Sequence, residues 1–318
     1  MFKLRVAIAA VLVVALGCQV GWSQTARTIK FVVPFTLGGA ADIVARLLSE
    51  QIGRRQDVGT VVEARPGAGS VIGTEAVSRA APDGNTLLLP ANSFVINSIV
   101  RKLTYDPLSF EPVCVLVRSP HVVTVNSASP YRTLADLLAA ARAHPGTLTN
   151  ASVGPATAQH IAFEMLKRAA KVEMSFVPFA GNAPAVNALL GGHVTSVIVN
   201  YPEVAEHVRA GKLRALATTL AARIEEMPDV PTVAESGFMN FETETWIGLV
   251  APPKTPRDAV AQLISWTVAA LQVPEVKAKL VAGGLFPVGL CGGDFAAYLR
   301  KQYDDYAQVI HASNIKVD

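Results

Sequence analysis

The segment Val32-Val33-Pro34-Phe35-Thr36-Leu37-Gly38-Gly39-Ala40-Ala41-Asp42 passes from an apolar run through two glycines to an acid. It predicts a buried strand over Thr28–Pro34 and a helix over Ala40–Arg54. Glycines at such a junction leave backbone that another group can approach closely, and helix first-turn amides attract an anion. Asp42 suits the helix dipole as a first-turn acid. A plain tight turn explains this loop equally well.

Short β-rich runs and helical runs alternate through most of the chain, which is typical of α/β lobes with largely parallel, buried strands. Further strands are predicted at Val58–Glu63, Thr86–Leu89, His121–Val125, Thr147–Ala151, Met174–Pro178, Val194–Asn200, Leu213–Thr218 and Trp246–Ala251. Further helices are predicted at Ser70–Ala80, Thr133–His144, Ala158–Ala170, Pro184–Leu190, Glu203–Ala210, Arg257–Leu271, Pro274–Gly283 and Asp294–Ala312.

Two extended segments divide this pattern. Phe110–Val125 is almost uncharged and long enough to leave one sheet and enter another, and Phe241–Ala251 supplies a return crossing. We therefore predict an α/β protein of two lobes joined by two crossing strands. Residues 24–120 and 246–318 form the first lobe, with the C-terminal helices packing back on it, and residues 121–245 form the second.

The N-terminus has the pattern of a secretory signal peptide. Lys3 and Arg5 precede an uncharged apolar run that is too short to span a bilayer comfortably. Small residues fit cleavage after Ser23, so residues 1–23 are predicted to be removed and the mature protein to be periplasmic. Cys18 follows a loose lipoprotein-like box, but the leucine next to Gly17 is atypical, so we favour cleavage over lipid anchoring.

Charge and hydropathy argue against a nucleic-acid partner and against a transmembrane helix. The signal peptide carries two basic residues and no acid, so the +3 charge of the 318-residue chain becomes +1 in the mature protein. No basic stripe with interleaved aromatic residues is present, so we predict no nucleic-acid partner. No later apolar run reaches 18 residues, so we predict no transmembrane helix in the mature chain.

Only Cys114 and Cys291 remain after cleavage. They are interpretable as two buried thiols that act as small apolar residues, or as one disulfide in an oxidising compartment. Spacing alone cannot establish the required geometry. We favour the free thiols.

Five small polar loops follow predicted strands, where ligands bind in open α/β sheets. Thr157 suits a helix N-cap and Ser152 offers a hydroxyl, while the Asn200 amide both donates and accepts. The candidate ligand-binding residues in these loops are Phe35, Thr36, Leu37, Gly38, Gly39, Ala40, Ala41, Asp42, Asn92, Ser93, Ser152, Gly154, Ala156, Thr157, Phe179, Ala180, Gly181, Asn200 and Tyr201.

Motifs for catalysis, cofactors and metals are missing from the sequence. The glycine-rich run from Gly67 to Gly73 is one residue too long for the dinucleotide fingerprint and follows the second strand instead of the first. Walker A, G-x-S-x-G and H-E-x-x-H patterns do not occur, and the six histidines are scattered. We expect no cofactor, no metal and no enzymatic activity.

Several motifs together resemble the Bug family, the TctC-like periplasmic receptors of tripartite tricarboxylate transporters. The resemblance covers nearly the whole mature chain, and its specificity lies in the order of the motifs. They are Val33-Pro34-Phe35 with Gly38-Gly39 and Asp42; Val62-Glu63-Ala64-Arg65-Pro66-Gly67-Ala68-Gly69; Ala81-Pro82-Asp83-Gly84; Leu190-Gly191-Gly192; Gly211-Lys212-Leu213-Arg214-Ala215-Leu216-Ala217; Pro228-Asp229-Val230-Pro231-Thr232-Val233-Ala234-Glu235; and Leu249-Val250-Ala251-Pro252.

The resemblance implies a type II periplasmic binding protein that closes a cleft between its lobes on a small carboxylate. It implies recognition by backbone amides and ordered water at Phe35–Asp42 and at Ser152–His160, which adds His160 to the candidate residues. It also implies a monomer that delivers its ligand to a tripartite tricarboxylate-type permease. A sensor that presents its closed form to a receptor kinase is the alternative.

The chain departs from the family pattern where ligand contact is expected. The usual Phe-Pro-Pro-Gly-Gly is Phe-Thr-Leu-Gly-Gly from Phe35, and Ala40-Ala41 replaces a Ser/Thr donor before Asp42. Gly154-Pro155-Ala156 lacks the usual side-chain amide, and Phe179-Ala180-Gly181 lacks a tyrosine hydroxyl and a lysine charge. Ile198-Val199-Asn200 lacks a carboxylate. Each change makes the pocket less polar, which predicts a monocarboxylic or aromatic acid over citrate.

Overall fold

The computed structural model describes residues 27–315, an α/β chain whose strands form two joined sheets. The strands are β1 (Thr28–Val33), β2 (Gly59–Ala64), β3 (Thr86–Leu88), β4 (Glu111–Asn126), β5 (Thr149–Val153), β6 (Ser175–Phe179), β7 (Ser196–Asn200), β8 (Leu213–Thr218), β9 (Glu244–Ala251) and β10 (Phe286–Cys291). The helices are α1 (Ala40–Gln56), α2 (Val71–Ser78), α3 (Ser93–Val100), α4 (Leu134–Ala143), α5 (Ala158–Ala170), α6 (Asn182–Leu190), α7 (Tyr201–Arg209), α8 (Arg257–Leu271), α9 (Pro274–Ala282) and α10 (Gly293–Ala312).

Strand β4 belongs to both sheets. Its first part, Glu111–Pro120, pairs antiparallel with β9, and β10 lies on its other edge. Its last residues, from His121, pair antiparallel with β7 and β8. The first sheet has the order β2-β1-β3-β9-β4-β10, and the second has the order β6-β5-β7-β4-β8. The extended run predicted over Phe110–Val125 is therefore one continuous crossing strand, as expected.

The strands that carry the candidate loops are parallel within each sheet. In the first sheet β1 pairs in parallel with both β2 and β3. In the second, β5 pairs in parallel with both β6 and β7. The carboxyl ends of parallel neighbours share one edge, so the loops of each sheet come together there. The lobe boundaries at residues 120/121 and 245/246 stay a prediction, and the change of strand partners at His121 agrees with the first of them.

Separate apolar clusters cover these sheets. One cluster buries β1 against α1 and α8, with Phe31 and Leu263 both fully buried. A second fills the space between the second sheet and helices α4 and α5. A third joins α10 to the crossing strands, and in it the Trp246 ring meets the edge of Phe295 at 5.9 Å. The C-terminal helix thus packs against strands of the first sheet.

Two elements were not predicted. Helix α3 (Ser93–Val100) has four consecutive buried residues, Phe94 to Asn97, so its apolar run shows no helical period. Strand β10 contains Pro287 and Gly289, which are typical of turns, but it lies at a sheet edge and carries a register shift between Pro287 and Leu290. Both elements depend on tertiary packing more than on local pattern.

The expectation of two free thiols is wrong. Cys114 and Cys291 form a disulfide, because they are directly opposed partners in the antiparallel pairing of β4 with β10. Cys114 is fully buried, as the thiol interpretation also required. Sequence reasoning missed the bond because it did not predict β10, and without that strand nothing brings the two cysteines together.

Signal-peptide cleavage and lipid anchoring at Cys18 concern a segment that lies outside the described residues. Within residues 27–315 no single helix combines the length and apolarity needed to cross a membrane. One pair, α8 and α9, meets those criteria only when its two helices are taken together, and they are bent by 74° relative to each other.

Replacing Gly73 by alanine is expected to destabilise the fold by about 1–3 kcal/mol, although alanine favours helices. A Cβ at Gly73 would lie 2.7 Å from the Arg65 carbonyl oxygen and 2.8 Å from Pro34 Cβ. Two backbone segments would have to move apart. Urea unfolding of Gly73→Ala measures the loss. Ala80→Gly just beyond α2 is the comparison, and equal stability of Gly73→Ala and wild type would contradict the packing argument.

Candidate functional site

The N-terminus of α1 has no side-chain cap, since its N-cap residue is Gly39. Gly38 has the left-handed φ of +80°, which favours glycine. Residues 36–40 are all exposed, and the first-turn amides of a helix have no intrahelical acceptor. The amides of Gly39 and Ala40 are therefore available to an anion.

Asp42 already occupies part of this helix terminus. Its carboxylate accepts the Gly38 amide at 3.0 Å and the Arg46 Nε at 3.0 and 3.1 Å. The bonds from Arg46 and Gly38 hold the pKa of Asp42 below its ordinary value, against the opposite effect of burial. Asp42 thus stays charged and its charge is balanced by Arg46. It shapes the loop without leaving its carboxylate free for a ligand.

The N-terminus of α5 is capped by Thr157, as predicted. The Thr157 hydroxyl accepts the His160 amide at 3.3 Å and donates to the Gly154 carbonyl at 3.0 Å. His160 is buried and its Nδ1 accepts the Ala156 amide at 3.3 Å. Its ring stacks on Phe176 at 3.9 Å, and burial lowers the pKa of His160. His160 is therefore a neutral support of this loop.

The loops after β5 and β6 are joined, since the Gly154 amide donates to the Phe179 carbonyl at 3.1 Å. Phe179 and Gly181 are half-buried, and Ala180 is exposed. Nearby, Ser152 Oγ is buried and has no hydrogen-bond partner among the described residues. Gly154, Phe179, Ala180 and Gly181 therefore lie together at the carboxyl edge of the second sheet, whereas the Ser152 side chain is buried there.

Asn200 lies at the end of β7, beside the crossing strands. Its Oδ1 accepts hydrogen bonds from Gln159 Nε2 and from Thr245 Oγ1, both at 3.0 Å. Thr245 Oγ1 also lies 3.1 Å from His121 Nε2. Sequence reasoning found Asn200 but missed Gln159, Thr245 and the function of His121, because only the pairing of β4, β7 and β9 makes them neighbours.

Two candidate residues have structural functions instead. The Asn92 amide donates to the Glu244 carbonyl and to Tyr306 Oη, and it accepts the Trp246 amide. Asn92 is buried, and its two amide hydrogens are used, one on β9 and the other on α10. Tyr201 is also buried and its hydroxyl accepts from Arg209. Neither side chain is free to contact a ligand.

The glycine-rich run from Gly67 lies at the carboxyl end of β2, next to the loops of β1 and β3. Ser70 and the candidate Ser93 share a hydrogen bond at 2.8 Å, and Asn97 Nδ2 donates to the Gly69 carbonyl at 2.7 Å. We excluded this run as a dinucleotide fingerprint and did not include it in the site. Its position after a parallel strand was the signal that could have added it.

A cavity of about 330 Å³ lies between Leu220–Glu226 and the start of β10, and it contains none of the candidate loop residues. We place the candidate site at the loops, because they combine free helix N-terminal amides with strand ends. Within the described part of the chain, no group of three or more His, Cys, Asp or Glu side chains has the arrangement of a metal site.

A family described as "Tripartite tricarboxylate transporter family receptor", TctC, matches residues 44–315 of this chain. The chain belongs to the TctC receptor family. Among its relatives, Protein BugT of Bordetella pertussis is 32% identical over 92% of this chain and 91% of BugT. A UPF0065 protein from the tcbD-tcbE intergenic region of Pseudomonas sp. strain P51 is 36% identical over 83% of this chain and 79% of its own length.

Solved structures of similar proteins share the two-lobed fold. Rpa4515 of R. palustris with adipate has a TM-score of 0.76 and 30% identity, covering 93% of this chain and 99% of that one. MatC of Rhodopseudomonas palustris with bound malate has a TM-score of 0.72 and 29% identity, covering 89% and 99%. The TctC family consists of periplasmic solute-binding receptors and not of enzymes, as predicted for this chain.

Proposed function

We propose that this TctC receptor binds a small carboxylate between its lobes, through the free amides at the N-terminus of α1, through the loop before α5 and through Asn200. The uncapped N-terminus of α1 is the observation that carries the proposal, since exposed first-turn amides favour an anion. The loops Phe35–Asp42, Ser152–His160 and Phe179–Asn182 contain no lysine or arginine. Dipoles and hydrogen bonds, and not an ion pair, therefore hold the carboxylate.

The ligand we propose is less polar than citrate. Three apolar side chains of the first lobe are exposed, Leu37 by 63%, Ile43 by 46% and Ile72 by 54%. Leu37 and Ile43 are close in sequence to the N-terminus of α1, and Ile72 lies at the N-terminus of α2. Apolar side chains at the mouth of a cleft suit the hydrocarbon part of a monocarboxylic or aromatic acid. The relatives with adipate and malate show that acids of different polarity occupy this fold.

We further propose that the protein is exported by a cleaved signal peptide, acts as a monomer in the periplasm and delivers its ligand to a tripartite tricarboxylate-type permease. Family membership supports the permease. Presentation of the closed form to a sensor kinase is the second candidate. Deleting the tripartite tricarboxylate-type permease genes of the host separates the two, because transport is lost in the first case and signalling persists in the second.

Asn200→Ala is expected to weaken carboxylate binding about 10-fold to 100-fold, the effect of one hydrogen bond to a charged group. We would unfold and refold the protein to remove bound ligand and screen mono-, di- and tricarboxylates by thermal shift. A ligand at 100 times its Kd adds about 2.7 kcal/mol, or several degrees in Tm. Calorimetry then gives Kd for both proteins.

Asn187→Ala is the matched control, because Asn187 is exposed on α6 away from the strand ends. Binding of monocarboxylic or aromatic acids at least 10-fold tighter than citrate supports the less polar pocket. Tighter binding of citrate than of any monoacid contradicts it. A screen with no carboxylate hit overturns the proposed function itself.

A further inference from the structure

Four side chains from four elements form one line of hydrogen bonds where the chain crosses between its sheets. His121 of β4 reaches Thr245 of β9 at 3.1 Å, and Thr245 reaches Asn200 Oδ1 at 3.0 Å. Gln159, in the first turn of α5, donates to the same Oδ1 at 3.0 Å. The hydrogen bonds therefore converge on Asn200, the polar side chain that the proposed function places against the ligand.

The direction of the line follows from the single proton of the Thr245 hydroxyl. Because that hydroxyl donates to Asn200, it can only accept from His121, which requires a proton on His121 Nε2. His121 is fully buried, and its Nδ1 has no partner among the residues described. A bare ring N–H there would be an orphaned donor, which folded proteins rarely tolerate. The Nε2–H tautomer avoids this.

The protonation state of the His121 ring, and with it the direction of its hydrogen bond, does not change with pH in the physiological range. Burial lowers the pKa of His121 to about 3, so the imidazole stays neutral. Within residues 27–315 the ring has no ion-pair partner; it hydrogen-bonds to the Thr245 hydroxyl, and its backbone bonds to Thr219. The tautomer is thus a fixed property of the fold.

As a result, the Asn200 side chain can offer a ligand only its Nδ2 group and not its Oδ1. Its Oδ1 already has two donors, which use both lone pairs. Its Nδ2 makes no hydrogen bond to any residue from 27 to 315, and the side chain is half-exposed at the carboxyl end of β7. With the opposite tautomer the Thr245 proton would go to His121, the Asn200 amide would turn its oxygen outward, and Gln159 would have to turn its own oxygen toward Asn200 Nδ2.

We propose that His121, Thr245 and Gln159 are positioning residues that lock the Asn200 amide with its Nδ2 toward the cleft, so that the site favours a carboxylate, whose two charged oxygens both accept, over a carboxamide, which has one neutral acceptor oxygen and an NH2 donor. This inference rests on the proposed carboxylate-binding function. It adds to it a physical origin for selectivity, because an amide free to rotate would satisfy either kind of ligand.

The first test needs no ligand. Nitrogen-15 NMR of the histidine rings, with His121 assigned through its loss in His121→Gln, reports which nitrogen carries the proton. We expect the Nε2–H tautomer in the wild type, unchanged from pH 5 to pH 8. A proton on Nδ1 would reverse the line of hydrogen bonds and overturn the proposal, whatever the protein binds.

The second test compares acids with their amides. Thr245→Val removes the hydroxyl, and we would measure Kd for hexanoate against hexanamide and for adipate against adipamide. We expect the acid-over-amide preference to fall about 10-fold, with Gln159→Leu acting in the same direction. Thr218→Val is the control, because the buried Thr218 hydroxyl has no partner in the described chain and its loss leaves Asn200 untouched.

The outcomes distinguish a failure of the positioning function from a failure of the proposed carboxylate-binding function. An unchanged acid-over-amide ratio in Thr245→Val, in a folded protein that still binds the acid, overturns the positioning function. Equal losses for acid and amide also overturn it, since a merely structural residue would act on both. If the wild type binds none of the carboxylates in the screen, the proposed function fails, and the histidine tautomer alone then decides whether Asn200 is locked as described.

Discussion

Loss of the Cys114–Cys291 disulfide is expected to lower the free energy of unfolding by about 3–5 kcal/mol. The bond joins residues 177 positions apart, and closing so long a loop restricts the unfolded chain by about 5 kcal/mol in the chain-entropy account, with measured values commonly lower. Since domains are stable by only about 5–15 kcal/mol, this is a large share.

The location of the bond adds a structural reason. Strand β10 is an edge strand whose residues are half-buried or exposed, and its pairing with β4 is interrupted after Pro287. The disulfide fixes the end of this weak pairing to the fully buried Cys114. Without it we expect β10 to separate from β4 before the rest of the sheet unfolds.

The measurement is urea unfolding of the wild type and of the double variant Cys114→Ala/Cys291→Ala, with and without dithiothreitol. Reductant should lower the wild-type midpoint toward that of the double variant and leave the variant unchanged. Thermal unfolding should show a fall of roughly 10 °C in Tm. Two titratable thiols in the denatured, unreduced wild type would show that the bond is not formed.

Glu244→Gln is expected to stabilise the protein by about 3 kcal/mol at pH 8 and by almost nothing at pH 4.5. Glu244 begins β9 and is buried. One carboxylate oxygen accepts from Tyr298 at 2.9 Å, whereas the other lies 3.9 Å from Arg118 Nε, too far for a hydrogen bond. Burial raises the pKa of Glu244 to about 7, with Arg118 only partly opposing it.

A raised carboxyl pKa makes the folded protein bind more protons than the unfolded chain between about pH 4.5 and pH 7. Stability from this group therefore falls as pH rises through that window, and the cost is complete above pH 7. A difference of about 2.5 pH units corresponds to about 3 kcal/mol. Glutamine keeps an acceptor for Tyr298 and carries no charge, so it removes the cost.

Buried His121 acts in the opposite direction. Its lowered pKa means that the unfolded chain takes up a proton below about pH 6.5 while the folded protein does not, so stability falls with falling pH. This contribution is common to wild type and variant, so the difference between them isolates Glu244. Urea unfolding at several pH values from 4.5 to 8 gives that difference.

Glu225→Gln, at an exposed position, is the control and should shift stability little at any pH. If Glu244→Gln changes stability by the same amount at pH 5 and pH 8, the raised pKa of the buried Glu244 carboxyl group is contradicted. Loss of stability at every pH would mean that its distant contact with Arg118 outweighs the cost of burying the charge.

The alternation of strands and helices, and the crossing over Phe110–Val125, could be predicted because both are local properties. A buried parallel strand is a short apolar run, and an amphipathic helix repeats its apolar residues along one face. Helix α5 and strand β8 begin and end where the sequence predicts. The Thr157 cap is likewise local, since a cap and the amide it accepts lie within one turn.

The other residues of the site could not be predicted fully, because their partners lie far away in the chain. Asn92 has the residue type and position of a ligand-binding residue, and only Trp246, Glu244 and Tyr306 make it structural, 150 or more residues later in the chain. Asp42 was correctly read as a first-turn acid, but the i+4 partner Arg46 was not noticed, although the spacing shows it.

By itself, the sequence determined the α/β class, the crossing over Phe110–Val125 and the loops that follow parallel strands, because each of these depends on residues close together in the chain. It also determined the family, through the order of short motifs along the chain. The tertiary structure decided that Cys114 meets Cys291 and that His121, Thr245 and Gln159 converge on Asn200. Those contacts depend on which strands become neighbours, and strand order is set by the packing of the whole chain and not by any local pattern.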